Sequence, residues 1–244
     1  MSDLVDPLPP GGPTSRDLPT PDRALVIVAH PDDIEYGAAA AVAMWTAAGA
    51  DCRYLLATRG EAGIDGMDPE QAAVVREAEQ ISSADVVGVG VVEFLAHPDG
   101  TIHDRMGLRR EFAHAIRRHT PDTVLLFNHR ESWGPHARNS ADHRIVGEAA
   151  LDAIADAGNR WIFPGTEPHH VELALVAGSP EATHALDVSA GVDRAVASLS
   201  EHRAYLEGLG EHPMADPEFL RVFLEQTGSS VGVPAALAVE VWRF

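Results

Sequence analysis

An alternation of short apolar runs with helix-like stretches constrains the fold of this chain more than any other feature. Four β-branched and aliphatic runs occupy residues 24–30, 52–58, 91–97 and 123–129, and each leads to a loop or stretch with helical spacing. Strands that alternate with helices are typical of parallel sheets, and strands without polar alternation are covered on both faces. The sequence therefore predicts an α/β fold with a doubly wound, mostly parallel sheet flanked by helices.

The second half of the chain is less regular. Residues 169–178 and 236–244 have the composition of two further strands, and residues 191–209 have the spacing of one long helix. No internal repeat or long linker divides the chain, so residues 23–244 are expected to form a single domain. The Pro- and Gly-rich residues 1–22 are expected to be a flexible lead-in.

Composition disfavours several classes of protein. The chain has 18 basic and 37 acidic residues, so nucleic acids and anionic membranes are not expected as partners. It has no lysine, which excludes pyridoxal Schiff bases and the usual P-loop. The single cysteine, Cys52, excludes internal disulfides and is expected to be a buried thiol. No apolar run approaches the roughly 20 residues that span a bilayer and no secretory signal is recognisable, so a cytoplasmic protein is expected.

Polar side chains follow each of the four predicted parallel strands. The strand ends read His30-Pro31-Asp32-Asp33, Thr58-Arg59-Gly60-Glu61, His97-Pro98-Asp99-Gly100 and Asn128-His129, with Asp142-His143 at the next helix start. The carboxyl ends of parallel strands share one edge of a sheet, and ligands of open α/β sheets bind there. These clusters are therefore expected to converge on one site.

The cluster at the end of the first strand favours a metal site. Adjacent carboxylates repel each other unless a cation or a proton lies between them. Catalytic zinc takes three protein ligands and keeps one position for water, so His30 and Asp33 could supply two ligands and the Asp142-His143 pair the third. Asp32 would then stay free as a base. Helix capping by an aspartate would explain one acid but not the histidine.

Other polar residues have simpler interpretations. His97 lies in a motif without a second aspartate, which favours a turn over a second metal site. Arg59 and Glu61 are expected either to pair with each other or to contact substrate. Arg76 is expected either to form a salt bridge on its helix surface or to bind substrate. His202 is expected on a solvated helix face, with the cleft as the alternative.

Five segments together resemble the PIG-L/LmbE-like N-deacetylases. They are AHPDDIEYG, LLATRGEAG, VREAEQISSADVVGV, HPDG and ADHRIVGEAAL, in this order from about residue 24 to 155. The resemblance implies a Rossmann-like fold and a zinc-dependent hydrolase with one Zn²⁺ per chain. It also implies removal of acetyl groups from N-acetylglucosamine-type sugars, or cleavage of related amides.

The resemblance assigns roles to individual residues. It implies that His30, Asp33 and His143 are the metal ligands and that Asp32 is the base that activates zinc-bound water. Asp142 is expected to orient His143 or a neighbouring histidine, and we count it among the candidate catalytic residues.

One departure from the family pattern concerns the segment before His143. The resemblance places residues that handle sugar hydroxyls at Arg76 and Asp99. Family members often have a histidine that assists the oxyanion where this chain has Ser140. His136 and His129 are the nearest candidates to replace it, and His129 joins Arg59 and Glu61 as a candidate for substrate contact.

The expected function is hydrolysis of an amide C–N bond, with N-deacetylation of an amino sugar or another small metabolite favoured. The alternatives are an amidase that acts on a thiol S-conjugate or an acylated natural product, and a non-catalytic scaffold with a decayed site. A nucleotide-binding domain is disfavoured because the first strand–helix turn lacks G-x-G-x-x-G. The expected partner is a small-molecule amide, and assembly into a homo-oligomer stays open.

Overall fold

The computed structural model describes residues 18–244, so most of the predicted flexible lead-in lies outside the described residues. The described strands are β1 (Arg23–Val28), β2 (Asp51–Leu56), β3 (Val92–Phe94), β4 (Thr123–Phe127), β5 (Ser132–Gly134), β6 (Ala137–Arg138), β7 (Leu173–Ala177), β8 (His184–Asp187) and β9 (Ala236–Arg243). The α-helices are α1 (Asp33–Gly37), α2 (Ala39–Ala47), α3 (Pro69–Val86), α4 (Arg105–His119), α5 (Ala141–Gly158), α6 (Val192–Leu199), α7 (Arg203–Gly208) and α8 (Glu218–Val231).

Seven of these strands form one sheet in the order β3-β2-β1-β4-β7-β9-β8. The five strands from β3 to β7 are parallel neighbours, and β9 is antiparallel to both β7 and β8. The predicted α/β fold with a mostly parallel sheet is confirmed. Val28 pairs with Leu56, and Ile27 pairs with Leu126. The carboxyl ends of β1, β2 and β4 therefore lie side by side, and the loops that follow them face one edge.

Helices cover both faces of the sheet, as a doubly wound fold requires. Leu25 and Ile27 of β1 pack into a core that includes apolar residues of α4 and α5. Val26 and Val28 point to the other face and pack against a core that includes residues of α2, α6 and α8. The central strands β1, β4 and β7 are buried on both sides, which explains why their sequences lack polar alternation.

Several local features can be traced to individual residues. Asp68 caps α3 by accepting a hydrogen bond from the Glu70 backbone N–H, and Pro69 occupies the first turn. Cys52 is a free, buried thiol. Within residues 18–244, no helix combines the length and hydropathy that a bilayer-spanning segment needs.

The prediction of one continuous helix over residues 191–209 is wrong. Residues 200–202 divide it into α6 and α7. The Ser200 hydroxyl donates a hydrogen bond to the Val196 carbonyl, and side-chain bonds of this kind compete with helical backbone pairing. The break turns His202 inward, and its side chain is fully buried. The solvated face expected for His202 is therefore wrong as well.

Two further elements differ from the sequence prediction. The alanine-rich helix after β1 is divided at Ala38, which has an extended φ of -144°. A Cβ at Gly37 would lie 2.7 Å from the ring of Phe127, so the close approach of α1 to β4 requires glycine. In addition, β5 and β6 form a short antiparallel hairpin where the sequence predicts only a loop.

Candidate active site

Asp32 and Asp33, the two aspartates in the turn after β1, make different contacts. Asp32 precedes α1 with a φ of 94°, and its carboxylate makes no capping hydrogen bond. Asp33 instead accepts hydrogen bonds at Oδ2 from the backbone N–H groups of Ala29 and His30, at 3.1 and 2.9 Å. Non-glycine residues with positive φ are uncommon and concentrate at functional sites. The turn is thus fixed by Asp33, while the Asp32 side chain is not used as a helix cap.

Three of the predicted ligand residues come together where β1 meets the first turn of α5. His143 Nε2 lies 2.9 Å from Asp33 Oδ1 and 3.2 Å from His30 Nδ1. His30 Nδ1 lies 3.6 Å from Asp33 Oδ2. Ligand atoms bound about 2.0–2.2 Å from a tetrahedral zinc lie about 3.3–3.6 Å from one another. The donor types and their spacing therefore fit a metal ion.

The two histidines are oriented so that one ring nitrogen of each faces the same point. His143 Nδ1 lies 2.8 Å from Asn139 Oδ1, which can only accept, so Nδ1 carries the proton and Nε2 is left free. His30 Nε2 lies 3.2 Å from Asp99 Oδ1 and 3.3 Å from Asp142 Oδ2, which leaves Nδ1 facing the cluster. Asp142, which was expected to orient His143 or a neighbouring histidine, thus contacts His30. Partners of this kind fix the tautomer and direction of ligating histidines.

The Asn139–His143 contact gives a testable prediction. Asn139→Ala removes the acceptor for the ring proton of His143, and we expect metal affinity to fall about 10- to 100-fold. The matched control is Ser140→Ala, because the Ser140 hydroxyl accepts from the His143 backbone N–H and caps α5 without touching the ring. Loss of that cap should cost about 1 kcal/mol of stability and leave metal affinity unchanged. Competition titration with a chelating dye would measure both affinities, and equal affinities would contradict the orienting role.

A second group of potential ligands, His30, Asp99 and Asp142, shares one histidine with the first. Both carboxylate oxygens of Asp142 already accept backbone hydrogen bonds, at 2.7 Å from Gly100 and 3.2 Å from Ile102. These bonds anchor the loop after β3 to the start of α5. We interpret this group as the support of the His30 ring, in line with the sequence expectation of a turn after β3.

The electrostatics of the cluster suit a cation. Burial raises the pKa of Asp33, but the nearby His143 and His30 rings outweigh it and hold that pKa well below its ordinary value. Burial lowers the pKa of His30, but Asp33 and the hydrogen bond to Asp142 raise it well above its ordinary value. A site that attracts a proton to His30 in this way also attracts a metal ion, because metal ions replace protons at such sites.

Asp32 is held in place by a buried arginine and a tyrosine. Its Oδ1 accepts a hydrogen bond of 2.8 Å from Arg76 Nη2, and Tyr205 contributes a further side-chain hydrogen bond. The Arg76 guanidinium lies over the Tyr205 ring, 4.3 Å from its centroid. Burial raises the pKa of Asp32 above its ordinary value, and this exceeds the opposing effect of Arg76. A raised carboxyl pKa is typical of general bases that work near neutral pH.

The position of Arg76 differs from the first of its two sequence expectations. Its side chain is 2% exposed, so the surface salt bridge is wrong. Its guanidinium donates to the backbone carbonyls of Gly60 and Pro31 as well as to Asp32. A Cβ at Gly60 would lie 2.3 Å from Arg76 Nη1, and the φ of 69° there also favours glycine. Arg76 therefore faces the base, and substrate contact by this residue stays a prediction without a supporting contact.

Hydrogen bonds connect the loop after β2 with the loop after β3. Glu61 Oε1 accepts from the Asp99 backbone N–H at 2.9 Å, and Asp99 Oδ2 accepts from the Ala62 backbone N–H at 2.8 Å. Arg59 pairs with Glu77 of α3, with Nη2 2.8 Å from Oε2. The expected Arg59–Glu61 pair is therefore wrong, because Arg59 turns to α3 and Glu61 to the neighbouring loop.

His129 and His136, the candidates to replace the family histidine at the position of Ser140, lie in different surroundings. His129 is buried, and its Cβ would be 2.4 Å from a Cβ at Gly147 of α5. Burial is the main cause that lowers the pKa of His129, so its ring is neutral near pH 7. His136 is exposed between β5 and β6. The proposed roles of His129 and His136 stay predictions.

An aromatic wall, formed by Phe127 and Trp133, stands beside the ligand cluster. The two rings lie 5.0 Å apart, and their centroids lie 5.2 and 5.7 Å from that of His143. Trp133 belongs to the β5–β6 hairpin and is 37% exposed. An exposed indole at this place gives the ligand cluster an apolar neighbour.

Sequence reasoning missed a second set of site residues. Glu35 lies in the same motif as the ligands but attracts no role by spacing alone, and Asn139 lies four positions before His143. Burial lowers the pKa of His202, but the Glu35 carboxylate raises it above its ordinary value. The remaining members come from helices far apart in sequence, and only the fold brings them together. The set comprises Glu35, Gln80, Asn139 and Tyr205, together with His202, for which the sequence favoured a solvated helix face.

Residues 25–154 match the family described as PIG-L, GlcNAc-PI de-N-acetylase, which is more than half of the chain. The chain therefore belongs to the PIG-L family, and the resemblance seen in its motifs is confirmed.

Three proteins similar to this chain are all named as deacetylases. The chain is 27% identical over 189 residues to diacetylchitobiose deacetylase of Thermococcus kodakarensis, covering 75% of this chain and 69% of the relative. It is 37% identical over 97 residues to 1D-myo-inositol 2-acetamido-2-deoxy-alpha-D-glucopyranoside deacetylase of Kineococcus radiotolerans, covering 37% of this chain and 27% of the relative. The structure of N,N'-diacetylchitobiose deacetylase from Pyrococcus horikoshii superposes with a TM-score of 0.80 at 20% identity, covering 91% and 84% of the two chains, which shows the shared fold.

Proposed function

We propose that this protein is a metal-dependent hydrolase that removes the acetyl group from an N-acetylglucosamine-type sugar. The observation that carries the proposal is the convergence of His30 Nδ1, Asp33 Oδ1 and His143 Nε2 beside a carboxylate, Asp32, that is not used as a ligand or a cap. The two curated relatives described above are named as deacetylases of acetamido sugars.

We propose zinc as the metal, one ion per chain, held by His30, Asp33 and His143. Two imidazoles and one carboxylate are a common catalytic zinc set, although the same donors also suit other transition metals. When bound, the ion would polarise the amide carbonyl and make water more acidic.

The chain's own residues would carry the proton steps. We propose that Asp32 takes a proton from the attacking water and then delivers one to the leaving amine. Arg76 holds Oδ1 of this carboxylate, so the direction of the other oxygen is fixed. Asp142 and Asn139 keep the ligating ring nitrogens of His30 and His143 aimed at the cluster. The acetate product leaves as an anion from a protein with a formal net charge of -19.

The charge of the cleft favours a neutral or cationic sugar. Among the described residues, each arginine next to a site residue in sequence, and Arg76 itself, already has an acidic partner. The pairs are Arg59 with Glu77, Arg76 with Asp32, Arg130 with Glu240 and Glu181, Arg138 and Arg144 with Glu131, and Arg203 with Glu201. An anionic substrate would therefore find carboxylates without a spare cation. The exposed face of Trp133 suits the apolar face of a pyranose ring.

The direct test measures metal content and acetate release. We expect about one zinc per chain, acetate release from N,N'-diacetylchitobiose or N-acetylglucosamine, loss of release with a chelator, and recovery when zinc is restored. N-acetylglucosamine 6-phosphate is the anionic counterpart, and we expect at least about tenfold lower kcat/KM for it because an unpaired charge is costly to accommodate.

Different outcomes would favour different alternatives. Bound metal without acetate release from any N-acetyl sugar would contradict the proposed substrate class and favour a larger amide, such as a thiol S-conjugate or an acylated natural product. Absence of bound metal would favour the scaffold. The cytoplasmic location, assembly into a homo-oligomer and a single domain over residues 23–244 stay predictions.

A further inference from the structure

A layer of polar side chains lies behind Asp32 and is sealed from solvent. Glu35, Gln80, Ser83, Ser198 and His202 are each 0% exposed. The proposed reaction does not use any of them. Burying polar and charged groups costs free energy unless they are paired. A buried polar layer of this size therefore needs a structural or functional explanation.

The layer reaches Asp32 through its backbone. The Asp32 N–H donates to Gln80 Oε1 at 3.1 Å, and Gln80 Nε2 donates to Glu35 Oε1 at 3.0 Å. An ionised carboxylate only accepts hydrogen bonds, so Glu35 forces Gln80 to present its NH₂ group to the carboxylate and its oxygen to Asp32. This orientation of the Gln80 amide places its oxygen against the backbone N–H of Asp32, the residue whose φ is 94°.

His202 completes the layer from the other side. Its Nε2 lies 3.2 Å from Glu35 Oε2, and the Ser83 hydroxyl donates to Glu35 Oε1 at 2.6 Å. His202 lies at the break between α6 and α7, outside residues 25–154 that match the family. The imidazole thus lies against Glu35 Oε2 and helps to hold the carboxylate that orients Gln80.

We propose that His202 is a positioning residue for the catalytic base, acting through Glu35 and Gln80 on the backbone of Asp32. This proposal rests on the proposed function, in which Asp32 is the base. Without His202, the Glu35 carboxylate loses the imidazole that lies 3.2 Å from its Oε2, and its position opposite Gln80 is no longer fixed from that side. Gln80 would then lose its fixed orientation, and the turn that carries Asp32 would relax.

The expected effect is on turnover more than on substrate binding. A displacement of about 1 Å at a reacting group can cost about 100-fold in rate. For His202→Ala we expect kcat to fall about 10- to 100-fold while KM changes less than about threefold. Metal content should stay unchanged, because His202 makes no contact with His30, Asp33 or His143 among the described contacts.

Two further variants and a matched control separate positioning from stability. His202→Gln keeps a donor for Glu35 and should restore part of kcat. Gln80→Met keeps the length of the side chain, removes the acceptor for Asp32 and should lower kcat as His202→Ala does. Leu199→Ala is the control, because Leu199 is fully buried at the end of α6, close to His202 in sequence, and packs in the apolar core without joining the polar layer. It should lower thermal stability and leave kcat of the folded enzyme unchanged.

A second measurement needs no catalysis. Hydrogen exchange of the Asp32 amide, followed by NMR, should become at least about tenfold faster in His202→Ala and Gln80→Met but not in Leu199→Ala. This measurement separates the two proposals. Absence of acetate release from the wild-type protein would contradict the proposed function, whereas the exchange rates would still test whether His202 positions the turn that carries Asp32. Unchanged exchange and unchanged kcat in His202→Ala would overturn the inference, as would losses equal to those of Leu199→Ala. If His202→Ala does not fold, Gln80→Met and His202→Gln decide the question by the same two measurements.

Discussion

Asp32→Asn should lower kcat for acetate release by roughly 100- to 10,000-fold, the range that general base catalysis contributes. Asparagine has nearly the same shape and can still accept the hydrogen bond from Arg76, so the turn should survive. It cannot take up a proton from water. Because Asp32 is not in the proposed ligand set, zinc content should remain at the wild-type level, which elemental analysis would check.

The control for this variant is Asp68→Asn. Asp68 is a carboxylate that caps α3, and asparagine is an equally good cap, so activity and stability should both persist. A wild-type rate in Asp32→Asn would show that another group acts as the base. Loss of zinc in that variant would instead place Asp32 among the ligands.

His143→Ala should remove the metal as well as the activity. His143 Nε2 is the donor that lies closest to both other ligands, at 2.9 Å from Asp33 and 3.2 Å from His30. Two remaining donors cannot provide the three-ligand set of a catalytic zinc site. We expect zinc after gel filtration to fall from about one per chain to near zero, with acetate release lost in parallel.

The matched control is His170→Ala. His170 is exposed, lies between α5 and β7, and belongs to no ligand group. Its removal tests whether any histidine change affects the zinc content of the purified protein. Full zinc occupancy in His143→Ala would remove this residue from the ligand set and would leave the assignment of the metal site without its third donor.

The parts of the fold that follow from local pattern could be predicted from the sequence. Four apolar runs without alternation predicted the parallel strands β1 to β4, because covering both faces leaves no place for polar residues. The clusters at their ends predicted a common edge, and the structure brings His30 and Asp33 to within contact of His143 there. Two of these residues lie in one motif, and the third lies at a helix start that follows a strand of the same sheet.

The remaining parts of the site depend on long-range packing. His202 lies on a stretch with helical spacing, and only the break before α7 turns it toward Glu35. Arg76 has the sequence environment of an ordinary helix position, and its burial follows from how α3 packs against the turn after β1. Partner choice among nearby charges, such as Arg59 with Glu77, is decided by a few ångströms of helix placement that residue spacing does not encode.

The position of β9 has a consequence for how the protein is made. This strand pairs with β7 on one side and β8 on the other, yet it is formed by residues 236–243. During synthesis the β7 edge therefore waits for its neighbour until residue 243 has been added, and an unpaired strand edge invites pairing with other chains. Ribosome-bound intermediates that already contain the ligand-bearing half would consequently expose the β7 edge to other chains.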